Sequence, residues 1–375
     1  MKGSAKLKSS GTNKPLCDHM IEVGQNKKSN PIIMGTGLIS LDAVFLADNG
    51  TMPKYWAGGT CGNVLTILAY LGWRSYPVGI IGKDEAGALV IEDVKRVGVR
   101  TRFLERDDKH QTPIVVEQIR KDVRGIARHR FIWTCPNCGA QLPGYRTIPI
   151  NRAQILAEKL PIPDIFFFDR VSRGILHIAE TCAAKGALVV FEPSGVKEAK
   201  LFQEAVSISH IVKYSHQRMG HLKLPAYPVP LLEVETFGEA GLRYRLGNGF
   251  STPTQQWAEM KAYAVELVKD TAGAGDWCTG GILNTLGSNG LEGLKSATEK
   301  DVIEALHFGQ AFAALKCSYE GARGVMYTST RKKLEQRVRQ ILTDKKTPTL
   351  RENGERRLSE ALRCICPKCS KFKDP

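Results

Sequence analysis

The chain has 375 residues, of which 42% are hydrophobic, and it carries a formal net charge of +15. This length is enough for one large α/β domain or for two smaller ones. No apolar run approaches the roughly 18 residues of a membrane-spanning helix, and the Lys-rich N-terminus lacks an apolar signal core. The sequence therefore excludes a transmembrane segment and disfavours secretion, and we expect a cytoplasmic protein.

The positive charge lies mainly at the two ends of the chain. Residues 1–30 hold six lysines against two acids, and residues 331–375 hold 14 Lys or Arg against six acids, which leaves a net charge of only +3 between them. We interpret the first segment as a disordered leader and the second as a basic C-terminal extension. Solvated tails explain both ends. Contact with nucleic acid is the alternative, disfavoured because no aromatic platform or reading motif accompanies the charge.

Polar residues follow the first apolar run of the chain. Pro31–Asp42 is predicted to be a strand and then a turn that ends at the carboxylate of Asp42. The next polar group comprises Gly58, Gly59 and Asn63, at the predicted start of a helix. Two glycines allow the backbone to approach a polyol closely, and the Asn63 amide can both donate and accept hydrogen bonds.

Residues 112–140 form a basic segment that ends in a pair of cysteines. Pro113–Ile119 is a predicted strand, and residues 120–130 hold five Lys or Arg against one acid. In the Cys-Pro-Asn-Cys-Gly sequence that follows, a tight turn would aim the thiolates of Cys135 and Cys138 at one metal ion. A redox role is disfavoured because no thioredoxin-like strand and helix follow. One such knuckle supplies only two ligands, so it requires a second pair.

The middle of the chain alternates apolar strands with helices. Asp164–Asp169 and Ala187–Glu192 are predicted strands, and a helix is predicted between them over Arg170–Ala184. Strands of continuous apolar character that alternate with helices indicate a parallel sheet with both faces covered.

A glycine-rich turn occupies residues 270–276, with the sequence Asp-Thr-Ala-Gly-Ala-Gly-Asp. A strand is predicted before it at Val265–Val268, and a helix after it over Trp277–Leu286. Free N–H groups at a helix start attract phosphate, and glycines permit its close approach. A carboxylate beside such a turn repels phosphate. We therefore interpret Asp276 as a base that takes the proton of an attacking hydroxyl, although an isolated match also fits an acidic helix cap.

Together these segments resemble the two signatures of the PfkB, or ribokinase-like, carbohydrate kinases. The N-terminal signature is the Gly-Gly and Asn group followed by Val78–Gly87 and by Gly98, and the C-terminal signature is residues 270–276. The resemblance covers residues 31–328. It implies a ribokinase-like three-layer α/β domain with a mostly parallel central sheet and a small β lid.

The resemblance also implies an activity, in which the γ-phosphoryl group of ATP moves to a hydroxyl of a sugar, sugar phosphate or nucleoside, with Mg²⁺ bridging the phosphates. The residues that match the family's motifs divide into three groups. The catalytic group is Gly273, Ala274, Gly275 and Asp276; the acceptor group is Asp42, Gly58, Gly59 and Asn63; and the nucleotide group is Lys213, Arg218, Thr236, Gly238, Gly241 and Thr271.

One element departs from the family. Where the family commonly has Asn-x-x-Glu, whose Glu helps to order Mg²⁺ and phosphate, this chain has Ser215 and Arg218. Arg218 can bind phosphate directly, but a cation in place of a carboxylate changes the metal network. Residues 120–130 fall in the lid region. Their charge indicates an anionic acceptor, and a solvated charged face explains it equally well.

The C-terminal extension ends in a second Cys-Pro-x-Cys sequence, formed by Cys366 and Cys369. Its form matches that of Cys135 and Cys138, and the family pattern lacks both pairs. We assign the four thiolates to one tetrahedral structural Zn²⁺.

The predicted organisation is a leader (1–30), a kinase domain (31–330, with the lid and Cys insert at about 100–150) and the extension (331–375). The expected partner is a small hydroxyl acceptor, and a homodimer is left open. Two other functions compete. The altered Asn-x-x-Glu suggests a ligand sensor on a decayed kinase fold, and the basic ends with their cysteine pairs suggest a zinc protein associated with nucleic acid.

Overall fold

The computed structural model describes residues 30–46, 53–121, 127–220, 228–250, 256–348 and 366–369. The predicted disordered leader lies almost wholly outside these residues, and so do most side chains of the basic segment 120–130. Within the described residues, no helix is both long and apolar enough to cross a bilayer.

A sheet of eight strands forms the centre of the described fold. Neighbouring strands are parallel except at one edge, where the last two pairings are antiparallel. In order across the sheet, the strands are β14 (Ala258–Met260), β13 (Leu242–Leu246), β12 (Leu232–Thr236), β11 (Ile211–Ser215), β10 (Leu188–Phe191), β9 (Ile165–Phe168), β1 (Ile32–Thr36) and β4 (Arg74–Pro77).

Two hydrophobic cores lie on opposite faces of this sheet. Side chains of a strand alternate between its faces, so Ile165 and Phe167 of β9 pack in one core while Phe166 and Phe168 pack in the other. Burial on both faces explains why this strand is apolar throughout, as the sequence predicted. The helices are α1 (Thr60–Tyr70), α2 (Glu85–Arg96), α3 (Ile150–Lys159), α4 (Arg173–Ala184), α5 (Ala199–Ser207), α6 (His216–Met219), α7 (Ala274–Leu286), α8 (Gly290–Ser296), α9 (Glu299–Cys317), α10 (Gly324–Thr328) and α11 (Arg331–Asp344).

A smaller four-stranded sheet corresponds to the predicted lid. Its strands, in order, are β3 (Lys54–Gly58), β2 (Ser40–Leu46), β7 (Ile114–Lys121) and β8 (Ala127–Ile132). A separate parallel pair comprises β5 (Gly79–Gly82) and β6 (Leu104–Asp107).

The position of Asp42 differs from the prediction. It lies inside β2, opposite Trp56 of β3, and not at the end of a turn. The turn after β1 is shorter than predicted because Gly37 adopts a φ of +145°, a backbone conformation that side chains other than glycine rarely adopt.

The predicted strand at Val265–Val268 is wrong. Within the described residues, this stretch adjoins only an isolated bridge between Ala264 and Lys346. The Glu266 N–H donates to the hydroxyl of Thr347 at 3.0 Å. Its β-favouring residues therefore contact the start of the C-terminal extension, while β14 occupies the edge of the main sheet.

A buried ion pair fixes the residue at which the glycine-rich turn begins. Lys316 of α9 and Asp270 are both fully buried, and the Lys316 Nζ lies 3.2 Å from the Asp270 carboxylate. This carboxylate also accepts hydrogen bonds from the N–H groups of Ala272 and Gly321, each at 2.8 Å. Glu117 of the lid sheet approaches the same group. Its burial, together with the charge of Asp270, raises the pKa of Glu117 well above its ordinary value.

We predict that Lys316→Met lowers the free energy of unfolding by about 3–5 kcal/mol, because it leaves the Asp270 carboxylate buried without a cation. The measurement is equilibrium unfolding in denaturant. The matched control is Lys295→Met, which removes an exposed cation 3.1 Å from Glu292, and we expect it to cost less than about 1 kcal/mol. Equal losses in the two variants would contradict the prediction.

Candidate active site

The carboxyl ends of the parallel strands carry polar side chains. Thr36 ends β1, Asp169 follows β9, and Glu192 follows β10. In open parallel sheets ligands bind at this edge, because strands end and helices begin there. The alternation of strands and helices therefore brings residues from distant parts of the sequence to one edge.

The glycine-rich turn ends directly at the start of α7. Gly273 has a φ of +76°, and a Cβ at this position would lie 2.7 Å from the Ala322 side chain. The N–H groups of Gly275 and Asp276 lie in the first turn of α7, where they have no acceptor within the helix. Such groups carry partial positive charge and can bind a phosphate.

Asp276 is held by a chain of polar contacts that connects both ends of the fold. The Asn63 amide nitrogen on α1 donates to the Asp276 carboxylate at 2.7 Å, and the Asn63 amide oxygen accepts from Nε of Arg323 at 2.9 Å. Burial raises the pKa of Asp276 to about 7, with a further contribution from the nearby charge of Glu192. The Asp276 carboxylate is therefore able to take up a proton near neutral pH.

The predicted acceptor residues lie beside this contact. A Cβ on Gly58 would lie 1.8 Å from a carboxylate oxygen of Asp42, and Gly59 has a φ of +81°. Asp42 accepts a hydrogen bond from the Ser40 hydroxyl at 2.6 Å. Burial raises the pKa of Asp42 to about 6, and the positive charge of Arg323 opposes this increase. The structure thus brings Asp42, Gly58, Gly59 and Asn63 together near Asp276.

A second ion pair lies beneath the turn. Lys213 of β11 is buried, lies 2.9 Å from Glu192, and donates to the carbonyl oxygen of Gly275 at 3.2 Å. The other oxygen of Glu192 accepts from the hydroxyl of Thr279 at 2.6 Å. Lys213, predicted to bind the nucleotide, therefore supports the turn from below.

The other predicted nucleotide residues lie along the same edge of the sheet. Arg218 is exposed on α6, and its positive charge favours the ionised form of Asp276, which lowers the pKa of that carboxyl. Thr271 is exposed at the start of the glycine-rich turn. Thr236, Gly238 and Gly241 form the turn between β12 and β13, in which both glycines have positive φ.

The four predicted metal ligands come together. The sulfur atoms of Cys135, Cys138, Cys366 and Cys369 all lie within 4.8 Å of one another. The Cys135–Cys369 distance is 3.8 Å and the Cys138–Cys366 distance is 3.7 Å, so none of the four forms a disulfide. Four sulfurs arranged tetrahedrally about an ion at 2.3 Å would be separated by about 3.8 Å.

Two residues of the site were not predicted. Arg323 is fully buried and contacts both Asn63 and Asp93. Asp169 is also buried and accepts a hydrogen bond from the Leu38 N–H at 2.9 Å. The signal for Asp169 was present, since it follows a buried strand just as Glu192 does. Arg323 stands in a short Gly-Ala-Arg-Gly sequence, and its pattern carries no comparable signal.

Comparison with known proteins gives relatives and structural neighbours of one kind. The chain is 26% identical over 336 residues to "Probable fructokinase-5" of Arabidopsis thaliana, covering 78% of this chain and 94% of that protein. Fructokinase from Vibrio cholerae, solved with fructose, ADP and calcium, superposes with a TM-score of 0.62 at 18% identity, covering 82% of this chain and 99% of the other. Aminoimidazole riboside kinase from Salmonella enterica, solved with aminoimidazole riboside and an ATP analogue, gives 0.61 at 18% identity, covering 81% and 99%.

A family model also matches the chain in two segments. The model is that of the pfkB family carbohydrate kinases, and it matches residues 36–131 and 249–329. These segments contain Asn63 and Asp276, which are in hydrogen-bond contact in the structure. The chain belongs to the pfkB family of carbohydrate kinases.

Proposed function

We propose that this protein is an ATP-dependent kinase that transfers a phosphoryl group to a hydroxyl of a sugar, sugar phosphate or nucleoside. The observation that carries the proposal is the 2.7 Å hydrogen bond between Asn63 and Asp276. It joins a residue of the predicted acceptor group to a carboxylate at a phosphate-binding turn. The fructokinase and riboside kinase relatives support this class of acceptor.

Asp276 acts as the base. A pKa of about 7 makes its carboxylate basic enough to take a hydroxyl proton while still ionised in a useful fraction of molecules. Asn63 is neutral, so it orients the carboxylate without the strong stabilisation of the ionised form that a cation would give. Asp42, Gly59 and Asn63 hold the acceptor hydroxyls.

The residues around the turn fit ATP. The first-turn N–H groups of Gly275 and Asp276 would stabilise charge on the moving phosphoryl group, a task of electrostatics and positioning. Mg²⁺ would supply charge neutralisation between the phosphates. Both oxygens of Glu192 already accept hydrogen bonds, so in this proposal Glu192 holds Mg²⁺ through coordinated water. Arg218 would pair with phosphate where the family has a carboxylate.

The two competing functions receive less support. A decayed sensor would not need the Asp276–Asn63–Arg323 contacts, which are complete. The basic ends that suggested a nucleic-acid partner fall largely outside the described residues. Catalytic turnover separates the kinase from the sensor, and a steep salt dependence of affinity for DNA or RNA would favour the nucleic-acid alternative.

We predict that Asp276→Asn reduces kcat by on the order of a hundredfold or more, because the amide cannot accept the proton. In the wild type, kcat/KM should rise with pH through about 7 and level off above it, since only the ionised carboxylate is a base. The variant should lose this rise. The measurement is the pH profile of coupled ADP release with an accepted sugar or nucleoside.

The control for this variant is ATP affinity, which should change little because the N–H groups of the turn remain. The Asn63 amide can still donate to the side-chain oxygen of Asn at position 276, so the variant should also fold normally. Turnover near that of the wild type would remove Asp276 from the role of base.

A second prediction concerns the acceptor. Asp42→Ala should raise the acceptor KM by about tenfold or more, because a hydrogen bond to a charged group is lost, while the KM for ATP changes little. Asn63→Ala should raise the acceptor KM and also lower kcat, since Asn63 contacts Asp276. Steady-state kinetics with each substrate varied gives both constants. Loss of ATP affinity with retained acceptor affinity would reverse our assignment of the two half-sites.

We further propose that the cysteine cluster binds one structural Zn²⁺. The sulfur separations fit tetrahedral thiolate coordination. The N–H groups of Asn137 and Cys138 also hydrogen-bond the Cys135 sulfur, as expected where a tight turn presents a thiolate to an ion. An ion at this place would tie the end of the C-terminal extension to the loop after β8.

We predict one zinc per chain in the wild type and none in either Cys135→Ser or Cys369→Ser, measured as metal content of purified protein. The control is Cys317→Ser, outside the cluster, which should keep its zinc. Loss of the ion should expose the extension to proteolysis and raise the acceptor KM, while the global fold survives. Zinc retained in both cluster variants, or two zincs in the wild type, would sink the shared site.

A further inference from the structure

The loop after β8 returns to the body of the protein next to the end of β1. The Leu142 N–H donates to the Trp133 carbonyl at 2.8 Å, and the Ile114 N–H donates to the Pro143 carbonyl at 3.0 Å. These bonds fix both ends of the cysteine-containing segment on the lid sheet. Two residues beyond Pro143, the chain reaches Tyr145.

The phenol oxygen of Tyr145 is buried and has no hydrogen-bond partner among the described residues. The same is true of the hydroxyl oxygen of Thr36, at the end of β1. Both residues line one narrow cleft, together with His110, whose Nδ1 is also buried and unpartnered within the described part of the chain. Buried polar atoms in a native protein are nearly always hydrogen-bonded, so three such atoms in one cleft indicate a missing partner.

This cleft is continuous with the candidate active site. The segment from Thr36 to Asp42 passes from the cleft to the acceptor group, and Ile39 of this segment both lines the cleft and packs beside Gly62 at the start of α1. Asp169 lies between the two regions, since it accepts the Leu38 N–H. A molecule with one end near Asp276 can therefore extend along this segment toward Tyr145.

We propose that Tyr145 and Thr36 are specificity-determining residues that hydrogen-bond the end of the acceptor remote from the phosphorylated hydroxyl. This inference rests on the proposed kinase function. It assigns a role to the loop that carries the first cysteine pair: the loop supplies one wall of the acceptor site, and the position of Tyr145 depends on it.

The chemistry of the cleft favours an uncharged acceptor end. The nearest buried cation, Arg170, lies over the Tyr145 ring at 5.9 Å from its centroid, and it is paired with Asp169 at 2.9 Å. Its charge is therefore already compensated. Hydroxyl groups and an imidazole nitrogen match sugar hydroxyls or the heterocyclic nitrogens of a nucleoside. We accordingly assign an uncharged sugar or nucleoside, in preference to a sugar phosphate with its phosphate at this end.

The second cysteine pair borders the same region. A cavity of about 330 Å³ adjoins the cleft, and the two share His110 and Gln111. Pro143 and Pro367, which belong to the segments carrying the two cysteine pairs, both line this cavity. The four-cysteine cluster therefore stands at the outer end of the acceptor site.

The test compares Tyr145→Phe and Thr36→Val with Tyr70→Phe, which removes a phenol hydroxyl that does have a protein partner, the Ser329 carbonyl at 2.6 Å. Each variant of the full chain is assayed for acceptor KM, ATP KM, kcat and melting temperature. The probes are fructose, ribose, adenosine and fructose 6-phosphate, and the shift in melting temperature with each probe measures binding without turnover.

We expect Tyr145→Phe and Thr36→Val each to raise the acceptor KM about tenfold, with ATP KM and the melting temperature of the free protein unchanged. Tyr70→Phe should instead lower the melting temperature and leave the acceptor KM unchanged. An unchanged acceptor KM in both cleft variants, with an active wild type, would overturn this inference alone. Stabilisation by fructose 6-phosphate only would overturn the uncharged assignment. A wild type that binds an uncharged probe but transfers no phosphoryl group would overturn the proposed function and leave the cleft contacts standing. A wild type that none of the probes stabilises would overturn the inference.

Discussion

The amide of Asn63 holds the two halves of the site in one geometry. It donates to Asp276 at the start of α7 and accepts from Arg323, which follows α9. Arg323 in turn contacts Asp93, whose carboxylate accepts the N–H of Ala57 just before the two acceptor-side glycines. Because these contacts are buried, each is costly to leave unmade, and a shift of any member displaces the others. The acceptor side and the phosphate-binding turn are therefore set by one network.

Charges around the turn occur as pairs, and the pairs have a structural purpose. Lys213 pairs with Glu192 and Lys316 pairs with Asp270, and in each case the ammonium group also binds a backbone carbonyl, that of Gly275 or of Asp270. The carbonyl contacts fix the two ends of the turn. Asp276 differs, because its direct partner is a neutral amide. Its carboxylate thus keeps a raised pKa among cations that are already compensated.

The sequence predicted the parts of this fold that depend on local pattern. The apolar run of β9, the helix after Gly273 and the four cysteines each carry a signal in residue type and spacing. The strand expected at Val265–Val268 failed because β-favouring residues pair with whatever backbone is nearby, and here that is Thr347. Arg323 could not be predicted because its importance comes from tertiary contacts with Asn63 and Asp93. The orphaned hydroxyls of Tyr145 and Thr36 likewise exist only in three dimensions.

The spacing of the cysteine pairs has a consequence for biosynthesis. Cys135 and Cys369 are 234 positions apart, and the second pair lies within ten residues of the last residue of the chain. A chain made from its N-terminus can fold its sheets while still attached to the ribosome, but it cannot complete the cluster until the last residues leave the exit tunnel. The outer wall of the cleft would then be assembled last, and a chain that terminates early would present an intact turn behind an unfinished entrance.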